Sequence, residues 1–270
     1  MRAACRAAQK ADNTLGLVPT MGALHEGHLA LVKASRAQCD TTAVSIFVNP
    51  KQFGPNEDFA KYPRTFDQDS NLLEKAGVAL LFAPEPAEMY PGGSVTFVDV
   101  EEISGRLDGA SRPGHFRGVA TIVAKLFHVI APDKAFFGQK DAAQVAVLRQ
   151  MVRDLNFDLE LVLCPTVREP DGLAMSSRNR YLSAPERVQA QVLSRALTAV
   201  KTAWRCGEAK TAELLALGHA VMAEEPDVRM DYFEIVDADT LLPVSRAHTG
   251  VLVAVAAWVG STRLIDNLLL

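Results

Sequence analysis

The chain has 270 residues, 49% hydrophobic and 22% charged, enough to bury a substantial core as one large or two modest domains. Its 28 Lys and Arg against 32 Asp and Glu leave a formal charge of −4, which excludes the basic field that non-specific nucleic-acid binding requires. A small-molecule substrate is therefore the default, and four scattered cysteines with no Cys-x-x-Cys pair point to reduced thiols in the cytoplasm.

The stretch Met1 to Asn13 has no apolar segment of signal-peptide length, and the longest apolar run, Val251 to Val259, falls far short of the about 20 residues of a membrane span. No membrane role is expected. Leu15 to Val18 reads as a strand, while Leu29, Leu31, Val32 and Ala34 share one face of a helix, so Pro19 to His28 is a strand-to-helix turn. Such a turn aims backbone N–H groups and the positive end of the helix dipole at an anion, and phosphate is the natural guest. His25 and His28, three residues apart, share a face of the first helical turn. Gly22 and Gly27 let a ligand approach the backbone. Zinc is disfavoured, because His-Glu-Gly-His lacks the i, i+4 spacing of a helical zinc pair and has no third ligand nearby; no metal residue is assigned.

Thr41 to Val48 predicts a second strand. Lys51 to Arg64 is a long polar connection, either a lid or a plain surface loop. A helix over Phe66 to Ala76, capped by Gly77, leads to a strand at Val78 to Phe82. The Pro- and Gly-rich segment 83–116 holds one short strand, Ser94 to Val98. It ends in Arg112 to Gly118, whose basic and aromatic residues face an anion or cap a turn, the turn being favoured. Val119, Ile122, Val123, Leu126, Phe127 and Ile130 form the stripe of a core helix stopped by Pro132.

After a strand at Asp133 to Phe137, Gly138-Gln139-Lys140-Asp141 is a second strand-to-helix turn, where Lys140 stands ready to share a phosphate bound at the first. Asp141 caps the helix or accepts from a ribose hydroxyl, and Gln144 lies one turn on, facing the same side. With a strand at Leu159 to Cys164, the alternation predicts an α/β chain with a Rossmann-like doubly wound parallel sheet. A linker at Glu169 to Gly172 divides 1–168 from 169–270, a smaller C-terminal α+β domain. Met175 to Arg180 crowds two hydroxyls and two guanidiniums into six residues, a solvated loop or a phosphate contact. Ser183 to Glu186 has capping-box spacing before a long helix to about Trp204. A helix at Ala212 to Met222 and strands near Tyr232 to Val236 and Val251 to Trp258 complete the chain.

Seven ordered blocks carry a resemblance: Pro19 to His28, Ser45 to Pro50 with Gln52 and Phe53, Tyr62 to Thr65, Ser111 to Gly118, Phe137 to Asp141, Asp171 to Asn179, and Leu264 to Asn267. Over nearly its whole length the chain resembles the pantothenate synthetase (pantoate–β-alanine ligase) family, within the wider His-x-Gly-His nucleotidylyltransferase superfamily. The resemblance implies a two-step ligation in a homodimeric cytoplasmic enzyme: pantoate and ATP give pantoyl adenylate and pyrophosphate, then β-alanine displaces AMP to make pantothenate.

It implies His28, His25 and Lys140 as catalytic residues, His28 and Lys140 being the largest single losses on mutation. The ATP-contacting positions are Met21, Gly22, Ala23, Leu24, His25, Glu26, Gly27, His28, Gly138, Gln139, Lys140, Asp141, Val167, Met175, Ser176, Ser177 and Arg178. Gln52 and Gln144 match pantoate-binding glutamines, with Pro19 and Met21 as apolar wall. Mg2+ would arrive bound to ATP, and Glu57 to Arg64 becomes a candidate lid. Val251 to Trp258 or Thr41 to Phe47 is expected to contribute to the dimer interface. Gln139 stands where the family block leads one to expect glutamate. The alternatives are a nucleotidylyltransferase acting on a phosphorylated alcohol and a non-catalytic nucleotide-binding regulator.

Overall fold

The computed structural model describes residues 1–10, 13–55 and 57–270; positions 11 and 12 of the N-terminal stretch and 56 of the polar connection lie outside the described residues. The first half runs α1 (Arg2–Lys10), β1 (Leu15–Thr20), α2 (Glu26–Gln38), β2 (Thr41–Ile46), α3 (Phe66–Lys75), β3 (Leu80–Phe82), α4 (Pro86–Met89), α5 (Asp108–Ser111), α6 (His115–Ile130), β4 (Lys134–Gly138), α7 (Ala142–Asp154) and β5 (Glu160–Cys164). The strands form one parallel sheet in the order β3-β2-β1-β4-β5. Alternate residues bury both faces: Leu17, Ala43, Ala135 and Phe137 join the core under α6 and α7, while Val18, Val44 and Phe136 join the core under α2 and α3. Strand order reverses between β1 and β4, and such a switch point leaves a crevice beyond the carboxyl ends of the two strands.

The second half contains α8 (Ala184–Ala190), α9 (Val192–Arg205), α10 (Thr211–Met222), β6 (Val228–Val236), β7 (Leu252–Val259) and β8 (Thr262–Leu269). The three strands make an antiparallel sheet in the order β6-β7-β8. One face carries Phe233, Ile235, Val253 and Val255 into a core shared with α9 and α10. The other places Leu252 and Ala254 in the core of the first half.

Several expectations change. Among the described residues no strand forms at Ser94 to Val98; the Val98 N–H donates to Thr121 Oγ1 at 2.9 Å, so a side chain takes the place of a partner strand. The helix to Trp204 is interrupted at Gln191. Helix α1 and strand β8 were not anticipated: α1 buries only Cys5, and Asp266 and Asn267 break the apolar pattern of β8 although both are buried. The expected dimer-interface segments are interior strands, β7 lying between β6 and β8 and β2 between β3 and β1, each with both edges paired. Neither offers a free edge to a partner.

Candidate active site

The turn from β1 into α2 is built on left-handed backbone at Gly22 (φ +83°) and Ala23 (φ +51°). Three of its N–H groups, those of Gly22, Ala23 and Leu24, are not left for a phosphate as the sequence led us to expect. Buried Asp69, in the first turn of α3, accepts the N–H of Ala23 at 2.8 Å and of Leu24 at 2.9 Å, and the Thr65 hydroxyl at 3.2 Å. The Gly22 N–H goes to Thr20 Oγ1. The carboxylate wins because it is part of the fold: it satisfies buried donors that would otherwise be stranded.

The two imidazoles close the turn. His25, at the N-cap of α2, accepts the Gly27 N–H on Nδ1 at 3.2 Å, and His28 Nδ1 accepts the His25 N–H at 3.3 Å. A neutral ring that accepts on Nδ1 carries its proton on Nε2, so each keeps one Nε2–H donor. The neutral state is secure. Burial first, then the Lys140 ammonium, lowers His25 to about 4; burial, then His25 and Lys140, lowers His28 to about 3. The rings lie against each other with centroids 4.1 Å apart and planes tilted by 38°. Neutral, each ring can offer a hydrogen bond but no charge.

On the other side stands Gln52, in a short 3-10 turn after β2. Its Nε2 donates to Met21 Sδ at 3.0 Å and its Oε1 accepts from Asn49 Nδ2 at 3.0 Å. Asn49 also donates to Gly118 O and accepts from Tyr90, whose hydroxyl is pushed up to about 12 by burial. The Gln52 carbonyl accepts from His115 Nδ1, while Arg112 donates to His115 Nε2. The Arg112 to Gly118 block is thus the turn from α5 into the start of α6 and a support for Gln52. The anion that it meets is Glu57, gripped by Arg112 at 2.6 and 2.7 Å.

The second turn, after β4, is pinned by Asn267 of β8. Asn267 Nδ2 donates to the carbonyls of Gln139 at 2.9 Å and Lys140 at 2.8 Å, and its Oδ1 accepts from Gln139 Nε2 at 2.9 Å. Gln139 therefore faces β8, which is why a neutral amide fits where glutamate was expected. Next to Asn267, Asp266 holds Arg168 in a bidentate pair at 2.6 and 2.9 Å. Among the described residues the nearest carboxylate to Lys140 Nζ is Asp141, at 3.9 Å.

The Ser-Ser-Arg segment comes from the second half. Ser176 caps a 3-10 turn by accepting the Arg178 N–H, and Ser177 lies 3.4 Å from the Tyr62 hydroxyl. Arg178 pairs with Asp58 at 2.9 and 3.0 Å. Adjacent residues Glu57 and Asp58 thus tie the polar connection to both halves of the chain.

Two hollows meet here. The smaller, about 230 Å³, is lined by Pro19, Met21, His25, Gly27, His28, Gln52, Gly138, Lys140, Asp141, Gln144, Val167, Met175, Ser176, Ser177 and Arg178. The larger, about 760 Å³, shares Lys140, Asp141, Gln144, Ser176 and Arg178 and extends to β8, where Arg263 pairs with Asp108 and Asp231. Gly22, Ala23, Leu24, Glu26 and Gln139 line neither hollow: the first three are buried in the turn, Glu26 is exposed, and Gln139 faces Asn267. The sequence reading missed Asp69, Asn49, the partners Glu57 and Asp58, and Asn267. A buried Asp-Asn pair in an apolar run was the available signal for the last.

Comparison with known proteins agrees with this arrangement. A family model described as Pantoate-beta-alanine ligase matches residues 1–269. A curated pantothenate synthetase of Acidobacterium capsulatum is 65% identical over 95% of this chain and 86% of its own length; that of Koribacter versatilis is 58% identical over 100% and 93%. The crystal structure of pantothenate synthetase from Thermus thermophilus superposes with a TM-score of 0.95 at 50% identity, covering 99% of this chain and 97% of that one. A Francisella tularensis pantoate-β-alanine ligase, described as complexed with β-γ ATP and β-alanine, has a TM-score of 0.78 at 33% identity over 96% and 90%. By sequence over its full length and by fold, the chain belongs to the pantoate-β-alanine ligase family.

Proposed function

We propose that this chain joins pantoate to β-alanine in an ATP-driven ligation through an acyl adenylate. The observation that carries the reading is that a single hollow, the smaller of the two, is lined by His25, His28, Lys140, Ser176, Ser177 and Arg178 together with Gln52 and Gln144. ATP and β-alanine are the ligands named for the Francisella relative, which supports them as substrates here.

The first step needs no base, because a carboxylate is ionised at neutral pH. Its oxygen bonds to the α-phosphorus, the bond to the bridging oxygen of the β-phosphate breaks, and pyrophosphate leaves with the electron pair. Charge grows on the departing oxygens, so the chemistry requires donors held in place beforehand. The Nε2–H groups of His25 and His28 and the Lys140 ammonium are our choice for that work. Gln52 and Gln144 would orient pantoate by donating and accepting without adding charge, with Pro19 and Met21 against its methyl groups. Met21, Gly27, Gly138, Asp141, Val167 and Met175 would complete the nucleotide wall. In the second step the amine nitrogen bonds to the acyl carbon, the carbon–oxygen bond to AMP breaks, and the nitrogen releases its proton.

Mg2+ would enter on the triphosphate and neutralise part of its charge. The wall offers such a cation one carboxylate, Asp141, 3.9 Å from Lys140 Nζ, with the phosphates and water supplying the other ligands. We read 1–168 and 169–270 as the two units that close on ATP, with Glu57 to Arg64 as lid, in a cytoplasmic homodimer. Among the described residues no helix is long and apolar enough to cross a membrane.

The test is AMP release with pantoate and β-alanine added separately and together, alongside ATP–pyrophosphate exchange. Exchange that requires pantoate, and pantothenate formed only with both acids, supports the ligase. Exchange driven only by a phosphorylated alcohol would replace it with a nucleotidylyltransferase.

A further inference from the structure

The backbone of the His-x-Gly-His turn bonds to a residue 41 positions downstream of His28. Asp69 is 2% exposed, and its two carboxylate oxygens each take one backbone N–H, from Ala23 and Leu24, at 2.8 and 2.9 Å. Those donors directly follow two left-handed residues, Gly22 at φ +83° and non-glycine Ala23 at φ +51°. A β-carbon side chain rarely adopts that conformation unless its surroundings impose it. The carboxylate imposes it, because letting the turn relax would strand two buried N–H groups and a buried charge. Immediately after Leu24 comes His25, the N-cap of α2, whose ring and that of His28 are fixed by reciprocal bonds to the backbone of the same turn.

We propose that Asp69 is a positioning residue for the ligation: its carboxylate occupies the anion-binding concavity of the turn, holds Ala23 and Leu24, and thereby sets the Nε2–H donors of His25 and His28 toward the phosphates. The proposal rests on the ligase reading above. It also assigns the triphosphate away from the Ala23 and Leu24 N–H groups, which the protein itself has filled. Asp69 touches no substrate. It acts through the turn.

The experiment uses the full chain with Asp69→Asn, which keeps size and one acceptor, and Asp69→Ala, which removes both. In pantoate-dependent ATP–pyrophosphate exchange, displacement of the donors lowers kcat by about 10²-fold while the KM for ATP stays within about threefold. Sodium formate, a carboxylate small enough for the vacated place, restores at least about tenfold of the loss in Asp69→Ala. Independently, 15N spectra of the imidazoles without substrate show both wild-type rings as Nε2–H tautomers, and Asp69→Asn mixes the tautomers. A folded Asp69→Asn protein with kcat within about threefold of wild type, or with unchanged imidazole tautomers, overturns the proposal. If Asp69→Ala does not fold, Asp69→Asn decides by the same two readouts. Absence of pantoate-dependent exchange in the wild type would sink the ligase reading, while the spectra would still judge Asp69.

Discussion

Asn267 lies at the far end of the chain from the two histidines, yet its replacement should damage the site through Lys140. Its side chain is buried and makes three hydrogen bonds, two to the carbonyls of Gln139 and Lys140 and one from Gln139 Nε2. Asn267→Ala removes all three, at about 1 kcal/mol each, for a loss of about 3 kcal/mol. Part of that loss appears as lowered stability and part as a Lys140 turn free to move. A displacement of about 1 Å at the reacting centre can cost about 10²-fold in rate, so pantoate-dependent exchange should fall between about 10- and 10²-fold. Asn267→Asp sharpens the test, because a second oxygen then faces two carbonyl oxygens and attraction becomes repulsion. It should lose more than alanine in both urea midpoint and exchange rate. The reasoning is refuted if Asn267→Asp is no worse than Asn267→Ala, or if Asn267→Ala exchanges pyrophosphate within about threefold of wild type.

Gly118→Ala should be severe for a different reason. A β-carbon there would stand 2.2 Å from the Lys51 carbonyl oxygen and 2.7 Å from Gln52 Cα, both backbone atoms. Stability should drop by about 2 kcal/mol or more, and the KM for pantoate should rise because Gln52 moves; an unchanged melting temperature would contradict this. Acid should destabilise the protein through its neutral imidazoles. Burial first, with His25 and Lys140 against one ring and Arg112 against the other, lowers His28 to about 3 and His115 to about 4, from an ordinary 6.5. Between those values the unfolded chain binds protons that the folded chain refuses. Stability is therefore full above pH 6.5 and falls as pH drops, by roughly 2 kcal/mol per ring at pH 5. Urea midpoints measured from pH 7.5 to 5 check the slope, and His115→Gln should remove one ring's share of it.

What was legible in the sequence follows from the range of the interactions involved. Strand-helix alternation, the apolar stripe of α6 and the two strand-to-helix turns are local patterns, and they lie close to where periodicity placed them. The polar partners of the site are not local. Asp69 looks like an ordinary acidic residue in a helix's first turn, a place that favours negative charge anyway; only the fold shows whose N–H groups it meets. Arg178 and Asp58 lie 120 positions apart, and Gln139 and Asn267 lie 128. Ser94 to Val98 misled because β-branched residues signal extended backbone but not a partner strand, and here Thr121 supplies the hydrogen bond instead.

The same long-range pairs rank the phosphate-binding candidates. Among the described residues, carboxylates already hold two of the expected donor groups, Asp69 the Ala23 and Leu24 N–H groups and Asp58 the Arg178 guanidinium, and Glu57 holds the neighbouring Arg112. Lys140 differs, since its nearest carboxylate oxygen is 3.9 Å away, beyond hydrogen-bond range. An incoming triphosphate must compete with Asp58 for Arg178, which discounts the interaction by whatever that bidentate pair contributes. It meets Lys140 without such competition. Charge developing on pyrophosphate should therefore be stabilised most by Lys140, and removing one such preorganised donor typically costs about 10²- to 10³-fold in kcat. Lys140→Ala should show a loss of that size, with Arg178→Ala losing clearly less in kcat. The expected ordering reverses if Arg178 leaves Asp58 entirely in the transition state, so an Arg178→Ala loss in kcat equal to or greater than that of Lys140→Ala would refute it.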